Sequence, residues 1–587
     1  MLECSVPFRS VPFRSVRKLC SYIRGWRGVT LAIYLWLILM SYAIVHIDVH
    51  SKIPRKNLYI ISVIEVVFAI AFYAAPKLLK HAEKITLASE TLTQSEQKKF
   101  FLKTFIFTFL EFFAMYLLFY PGSFGGDNVS QYAQAVGAHG YNDHHPVLHT
   151  LFTFTLPLRL TGGWVGSIVL FQIILFSLSL AYMGVTVAEF GNRLYAKNFL
   201  LYIMLNPFTL YIGINPLKDS SLAIAAMVLM CFALRTYYTN GAWIKNWKNA
   251  AMFVIILTAA TIFRHNAILF TLPLMLTMSF YVSKRKLICM IACVASMIYL
   301  VRYPLYNWLD VDRSMENRQI EMLGFPMTII GNSVKEAHEK LDEEVLEFAY
   351  TIAPQDVWED SFELYSGFNS TKGGSGHKNL DEETRKRFFV IDIYAIERAG
   401  WRKILNLTAR CFAEAPLAAL RGACVLINSA NGILGHLQAV FAFLIQQEAT
   451  TEHGVDLHHS KFLKLKFLPP LIKISFLSDF NTVKMHLSLD DDITLQAIVF
   501  IMLNGVMVIF KHIFQNLGLI NLAIVTFILA KLNFKTSDGW KKFTLALPIL
   551  LHNWGTTLFL TGLDLRYFYL SFLVLPSVLL ILIKDKN

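Results

Sequence analysis

Long apolar runs separated by short polar stretches, which carry most of the Lys and Arg, organise this chain. A water-soluble helix needs only one apolar stripe, whereas runs of about 18 or more apolar residues predict helices that cross a bilayer. The first run, Val29 to Ile47, follows a leader holding Arg9, Arg14, Arg17, Lys18, Arg24 and Arg27. No small-residue cleavage motif comes after it, so it reads as an uncleaved helix with its start inside. Leu58 to Ala75 leads back to a basic loop containing Lys77, Lys80, Lys84, Lys98, Lys99 and Lys103, and Phe105 to Tyr120 leads out again. Spans are then expected near 164–188, 198–214, 220–237, 250–263, 266–283 and 287–303, and again at 517–532, 543–560 and 567–583. Val147 to Leu160 falls short of the roughly 20 residues a crossing takes and is expected to lie along the outer interface. Pro416 to Ile445 and Ile493 to Phe510 read either way, giving fourteen spans if both cross and twelve if neither does.

The expected fold class is an all-α polytopic membrane bundle of about 12–14 spans with a small, mainly helical extracytoplasmic loop domain. Its divisions are a basic cytoplasmic leader at 1–28, two N-terminal helices and a basic loop at 29–103, and a transmembrane core at 104–304 whose first outer loop covers 121–163. The loop domain follows at 305–415, then an ambiguous membrane-associated region at 416–515, and C-terminal helices at 516–587. Within the loop domain, Leu341, Val345, Leu346, Phe348 and Ala349 recur at broadly helical spacing, while YSGFNSTKGGSGHKN reads as loop.

Composition agrees with a lipid setting. Of 587 residues 55% are hydrophobic and 16% charged, where soluble chains carry roughly a quarter charged; the mean hydropathy is +0.48. A net charge of +13 would suit nucleic acid if it gathered on one face, but the basic residues sit between apolar runs, as the positive-inside rule describes. That excludes a nucleic-acid partner and places a multi-pass chain in the cell membrane with both termini cytoplasmic, the last marked by Lys584 and Lys586. Seven cysteines without a CxxC indicate neither a disulfide framework nor a zinc site.

Chemistry gathers at the expected outer ends of separate spans. Asp127 and Gln131, the run Asn142-Asp143-His144-His145-Pro146, Lys218-Asp219, Arg264-His265-Asn266 and Asp564-Arg566-Tyr567 come from five places in the chain but one side of the membrane. Ionisable groups near a hydrocarbon boundary are costly, so a set on one face is a site hypothesis. Carboxylates can serve as a general base, and Lys and Arg can hold a departing phosphate. Each residue also has a plainer reading: Asp127 after Pro-Gly and Gly-Gly as a turn residue, Lys218 and Arg264 as snorkelling side chains, Arg566 and Tyr567 as interface anchors. Adjacent histidines rarely reach one metal with good geometry, which leaves His144-His145 a weak ligand pair. Glu65 and Glu111 lie inside apolar runs, where hydrogen bonding between helices is the simplest role.

PGSFGGDNVSQYAQA, DHHPVLHTLF, NPLKDSS, FRHNA and LDLRYFYLSFLVLP, in that order and on one side, resemble the GT-C superfamily of integral membrane glycosyltransferases. The likeness is to the branch with protein O-mannosyltransferases and aminoarabinose transferases, and more closely to bacterial relatives of uncharacterised function. It covers most of 104–304 and the helices from about 515. The resemblance implies transfer of a sugar from a polyprenyl-phosphate-linked donor, with the tail in membrane lipid, to an acceptor that is protein, lipid or envelope polymer. It implies catalytic roles for Asp127, the expected base, and Asp219. It further matches Arg566 to a donor-phosphate contact and His145 and Lys218 to its outer-loop positions, and Arg264, Tyr567 and Gln131 join them as expected donor-phosphate or substrate contacts from their place at the same outer face. Many members carry two acids where this chain has Asp127-Asn128; one carboxylate is a poor cation site by itself, so no cofactor is assigned and a divalent cation is left open. The competing classes are a lipid-linked oligosaccharide flippase, which predicts internal repeats and charges through the midplane, and a non-catalytic scaffold.

Overall fold

The computed structural model describes residues 92–124, 126–313, 323–352, 355, 358, 393–431, 516–558 and 565–584. The leader, the two expected N-terminal helices, the stretch 432–515, Glu65 and Asp564 lie outside the described residues. Among the described residues 83% are helical and none forms a strand. Five helices are long and apolar enough to cross a membrane: Gln94–Leu118, Gly166–Phe190, Lys218–Tyr238, Lys284–Trp308 and Arg566–Ile583. Val147–Leu160, Trp247–Phe263 and His265–Phe280 are shorter apolar helices.

In chain order, α1 is Gln94–Leu118, α2 Gly126–Ala135, α3 Val147–Leu160, α4 Gly166–Phe190, α5 Arg193–Met204, α6 Pro207–Gly213, α7 Lys218–Tyr238, α8 Trp247–Phe263, α9 Ile268–Thr277 and α10 Lys284–Leu300. An outer group follows with α11 Gly324–Ala337, α12 Glu343–Ile352, α13 Ile393–Glu414 and α14 Pro416–Asn431; α15 Leu517–Lys531, α16 Ser537–Leu558 and α17 Tyr569–Ile583 complete the bundle.

Two local signals define the start of α1. Thr93 accepts from the Glu96 amide while the Glu96 carboxylate accepts from the Thr93 amide, so the helix opens on a capping box. The expected single span at 198–214 is instead two helices. Pro207 brings no N–H and Asn206 caps the second helix by accepting from Phe208 N at 3.1 Å, so the chain turns between α5 and α6. Gly122, at φ +125°, takes the chain from α1 towards α2, and a Cβ there would stand 2.4 Å from Val169. Only glycine meets both conditions.

The apolar helices divide into inner and outer ones. Along α7, Ala223, Ala226 and Ala233 let α4, α8 and α17 approach closely, the small-residue packing by which membrane helices associate. α10 is apolar yet almost wholly uncovered, exposing Ile288, Ile291, Tyr299 and Leu300. In water that face would be a liability; against lipid tails it is ordinary surface.

α11–α14 build a separate core. On α12, Val345, Phe348, Ala349 and Ile352 are buried at the helical spacing read in the sequence, and they meet Met327, Ile330, Ile404, Leu407 and Cys411. Trp358 is fully buried there and donates through Nε1 to Ala349 O at 2.9 Å. α14 joins this core through Ala418 and Ala419 and also packs on α15 and α16, which seats the outer group on the bundle. A cavity of ≈ 590 Å³ opens where α11 ends and α14 begins, lined by Lys335, Glu336, Lys340, Glu414, Pro416 and Arg421.

Candidate active site

Helix starts and a helix hairpin position the charged groups. Asp127 stands in the first turn of α2, where the helix dipole favours a carboxylate. Lys218 and Asp219 open α7 just after Pro216, which ends the preceding turn. Arg264 is the extended residue after α8, and Arg566 and Tyr567 form a short 3₁₀ turn before α17.

The structure brings these four segments together, with His145 from the loop before α3 as a fifth. Lys218 Nζ and Arg566 Nη2 each lie 3.6 Å from Asp127 Oδ2. Arg264 pairs with Asp219 Oδ1, and Arg566 Nε reaches Asp219 Oδ2 at 3.9 Å. Lys218 also donates to His145 Nδ1 at 3.2 Å. The guanidinium carbons of Arg264 and Arg566 lie 4.5 Å and 5.1 Å from the centre of the Tyr567 ring, within cation–π reach. Two acids therefore stand among three cations.

Supporting bonds aim the cations. Arg264 Nε donates to Asn266 Oδ1 at 2.8 Å, and Asn266 Nδ2 donates to Thr556 Oγ1 on α16 at 3.1 Å. His552 Nε2 donates to the Tyr567 carbonyl at 3.1 Å, fixing the turn that carries Arg566. Gln172 Nε2 is placed against the carbonyls of Ile212, Gly213 and Asn215 at 2.9–3.0 Å, which holds the approach to α7.

The two acids differ in access. The Asp219 side chain is 2% exposed and sealed behind Arg264, whereas that of Asp127 is 31% exposed. Burial alone would raise the pKa of Asp127, but Lys218 and then Arg566 outweigh it and hold the carboxyl down at about 2, against an ordinary 3.8. His145 is pushed down to about 2 by burial and by the Lys218 charge, so its imidazole is neutral and Nδ1 accepts from the ammonium.

Three expected residues sit elsewhere. Gln131 is buried and turned inward, donating to His149 Nδ1 at 2.9 Å and Thr150 Oγ1 at 3.0 Å. Asp143 accepts from Arg302 Nη1 and from the Tyr306 hydroxyl, both at 2.8 Å, while Arg302 Nη2 reaches His265 Nδ1 at 3.1 Å. This clip ties the loop between α2 and α3 to the end of the α10 segment, assisted by the backbone bridge between Asn142 and Asp312. His144 lies exposed at the rim, edge-on to His145. Among the described residues no group of three or more His, Cys, Asp or Glu stands where one metal ion would reach them. Sequence reasoning missed Arg302, Tyr306, His149 and Ser221. His149 and Arg302 carried a signal, as ionisable residues inside apolar runs.

No family model, no curated protein and no solved structure matches this chain. The geometry of the cluster is what any functional reading has to rest on.

Proposed function

We propose that this chain is a membrane glycosyltransferase that moves a sugar from a polyprenyl-phosphate-linked donor to an acceptor at the extracytoplasmic face. The observation that carries the reading is the meeting of an accessible Asp127 with Lys218 and Arg566, beside an Arg264 held by Asp219, from four distant segments. An excess of cations over carboxylates suits an anionic headgroup, and the apolar helices around it suit the attached tail.

In the proposed inverting displacement, the acceptor hydroxyl gives its proton to Asp127 as its oxygen bonds to the anomeric carbon. The bond from that carbon to the phosphate oxygen breaks, and polyprenyl phosphate leaves with the electron pair. Both cation contacts of Asp127 fall on Oδ2, which leaves Oδ1 to take the proton. A carboxylate held at about 2 is a feeble base while Lys218 and Arg566 face it alone. A phosphate between those cations would offset their charge and let the Asp127 pKa rise towards the working pH. Asp219, sealed against Arg264, orients cations and does not touch the substrate in this reading.

The test supplies membranes containing the full chain with labelled polyprenyl-phosphate sugars and follows the label. Transfer to a new acceptor, lost in Asp127→Asn with the protein still folded, supports the reading. Full activity in Asp127→Asn removes the base, and movement of intact donor across the bilayer without bond cleavage makes the chain a flippase.

A further inference from the structure

Directly below the ion cluster, a second polar chain runs between the two helices that supply it. Gln131 lies four residues beyond Asp127 on α2, and Ser221 lies three beyond Lys218 on α7, so each is about one turn inward on its helix. His149 on α3, with no exposed surface, stands between them. The Gln131 amide nitrogen donates to His149 Nδ1 at 2.9 Å, and His149 Nε2 lies 3.0 Å from Ser221 Oγ. An amide nitrogen is only a donor, so Nδ1 accepts and the ring proton sits on Nε2, on the side of Ser221 and of the Leu217 backbone carbonyl that the ring also bonds. Phe154 and Phe263 meet the ring edge-on at 6.0 Å and 5.8 Å and leave it little freedom to turn.

We infer that His149 is a positioning residue, a neutral strut from Gln131 to Ser221 that sets the separation of Asp127 and Lys218. The inference rests on the proposed function for its kinetic consequence but on geometry alone for its structural one. Immediately after His149 the helix makes a π turn over Thr150–Thr155, just before Pro157, which cannot donate a helical bond. That irregular turn lets α3 present His149 and Thr150 together to Gln131. Burial, aided by Lys218 and Arg264, holds the imidazolium down at about 3, which agrees with a strut that carries no charge through the working range. The charged groups facing it are Lys218 on α7 and Arg264 after α8.

The experiment has two arms on the full-length protein. In the first, an amine-acylating reagent is applied in detergent and labelling at Lys218 is read by mass spectrometry, with Lys286, held by the carbonyls of Ile244 and Lys245, as an internal reference. His149→Leu should raise Lys218 labelling about tenfold relative to Lys286, the scale of two ordinary hydrogen bonds lost. Ser221→Ala, a smaller change, should raise it in the same direction and serves if His149→Leu does not fold. In the second arm His149→Leu should lower kcat for transfer by about 10²-fold with the donor KM little changed, because the cations remain while the reacting groups are misplaced. His149→Gln, whose amide can still donate towards Ser221, should recover part of that loss. Combining His149→Leu with Ser221→Ala should cost no more than His149→Leu alone, since both break one strut. Unchanged labelling in both variants, or losses that multiply as independent effects, overturns the strut. An unaltered protein that transfers no sugar overturns the proposed function, and the labelling arm still decides the strut.

Discussion

The charged groups at the mouth of the bundle and those of the outer helices are paired in different ways. At the mouth, Lys218, Arg264 and Arg566 face Asp127 and Asp219, an excess of cations. In the outer group, Arg410 stands 2.8 Å from Glu344 and also pairs with Asp342, while Arg421 pairs with Glu336 at 2.6 Å, so each of these cations faces a carboxylate of its own. The outer pairs are closed salt bridges that tie one helix to the next, and the Arg410 side chain is 36% exposed, where water screens the attraction. At the mouth the Arg264–Asp219 pair is more deeply placed than any of these, at 9% and 2% exposed, and the cluster leaves positive charge over. One arrangement holds helices together; the other is what the proposed anionic donor would require.

The largest expected effect falls on the mouth. Asp127→Asn should lower transfer by about 10²–10⁴-fold without unfolding, checked by initial rates beside size-exclusion behaviour. Near-normal rates would reduce the mouth to the same tying role as the outer pairs. Next, Trp358→Ala should destabilise the outer helices by about 3–5 kcal/mol, checked by denaturant melting, while binding of an anionic lipid at the mouth stays unchanged. Loss of both together would mean that the two regions are one cooperative unit.

Acid should act on the mouth through its histidines. His145 and His149 are held at about 2 and about 3 against an ordinary 6.5, so below pH 6.5 the unfolded chain takes up protons that the folded chain refuses. Stability present above 6.5 should therefore be lost as the pH falls, by up to about 1.4 kcal/mol per pH unit for each ring. Melting at pH 7.5 and 5.0 tests this, and His145→Asn should flatten the slope; an unchanged slope in that variant counts against a buried neutral ring. The smallest effect is expected from Arg410→Ala, under about 1 kcal/mol in the same melting assay. A loss several times larger would show that the outer pairs are less screened than their exposure implies.

Much of the helical plan was legible beforehand because its cause is local. The run expected at 164–188 overlaps Gly166–Phe190, that at 220–237 lies in Lys218–Tyr238, and the buried positions of α12 follow the spacing of its apolar residues. The span expected at 198–214 failed at a local signal that was present but overruled by hydropathy, the Asn206-Pro207 pair that caps and breaks the helix. Asp143 and Gln131 carried no comparable mark. Whether an acid beside two histidines faces the site or pairs with Arg302, 159 residues away, depends on a contact that no window of sequence contains.

The sequence by itself determined that this chain is helical and apolar, where several of its long apolar helices lie, and which charged residues gather near their ends. Those properties follow from composition and spacing over a few turns. Only the tertiary structure decided that Asp219 is sealed while Asp127 is open, that Arg566 touches both acids, and that His149 braces the helices carrying Asp127 and Lys218. Access and pairing are set by how α2, α3, α7, α8 and α17 converge, and convergence is a property of packed side chains far apart in the chain.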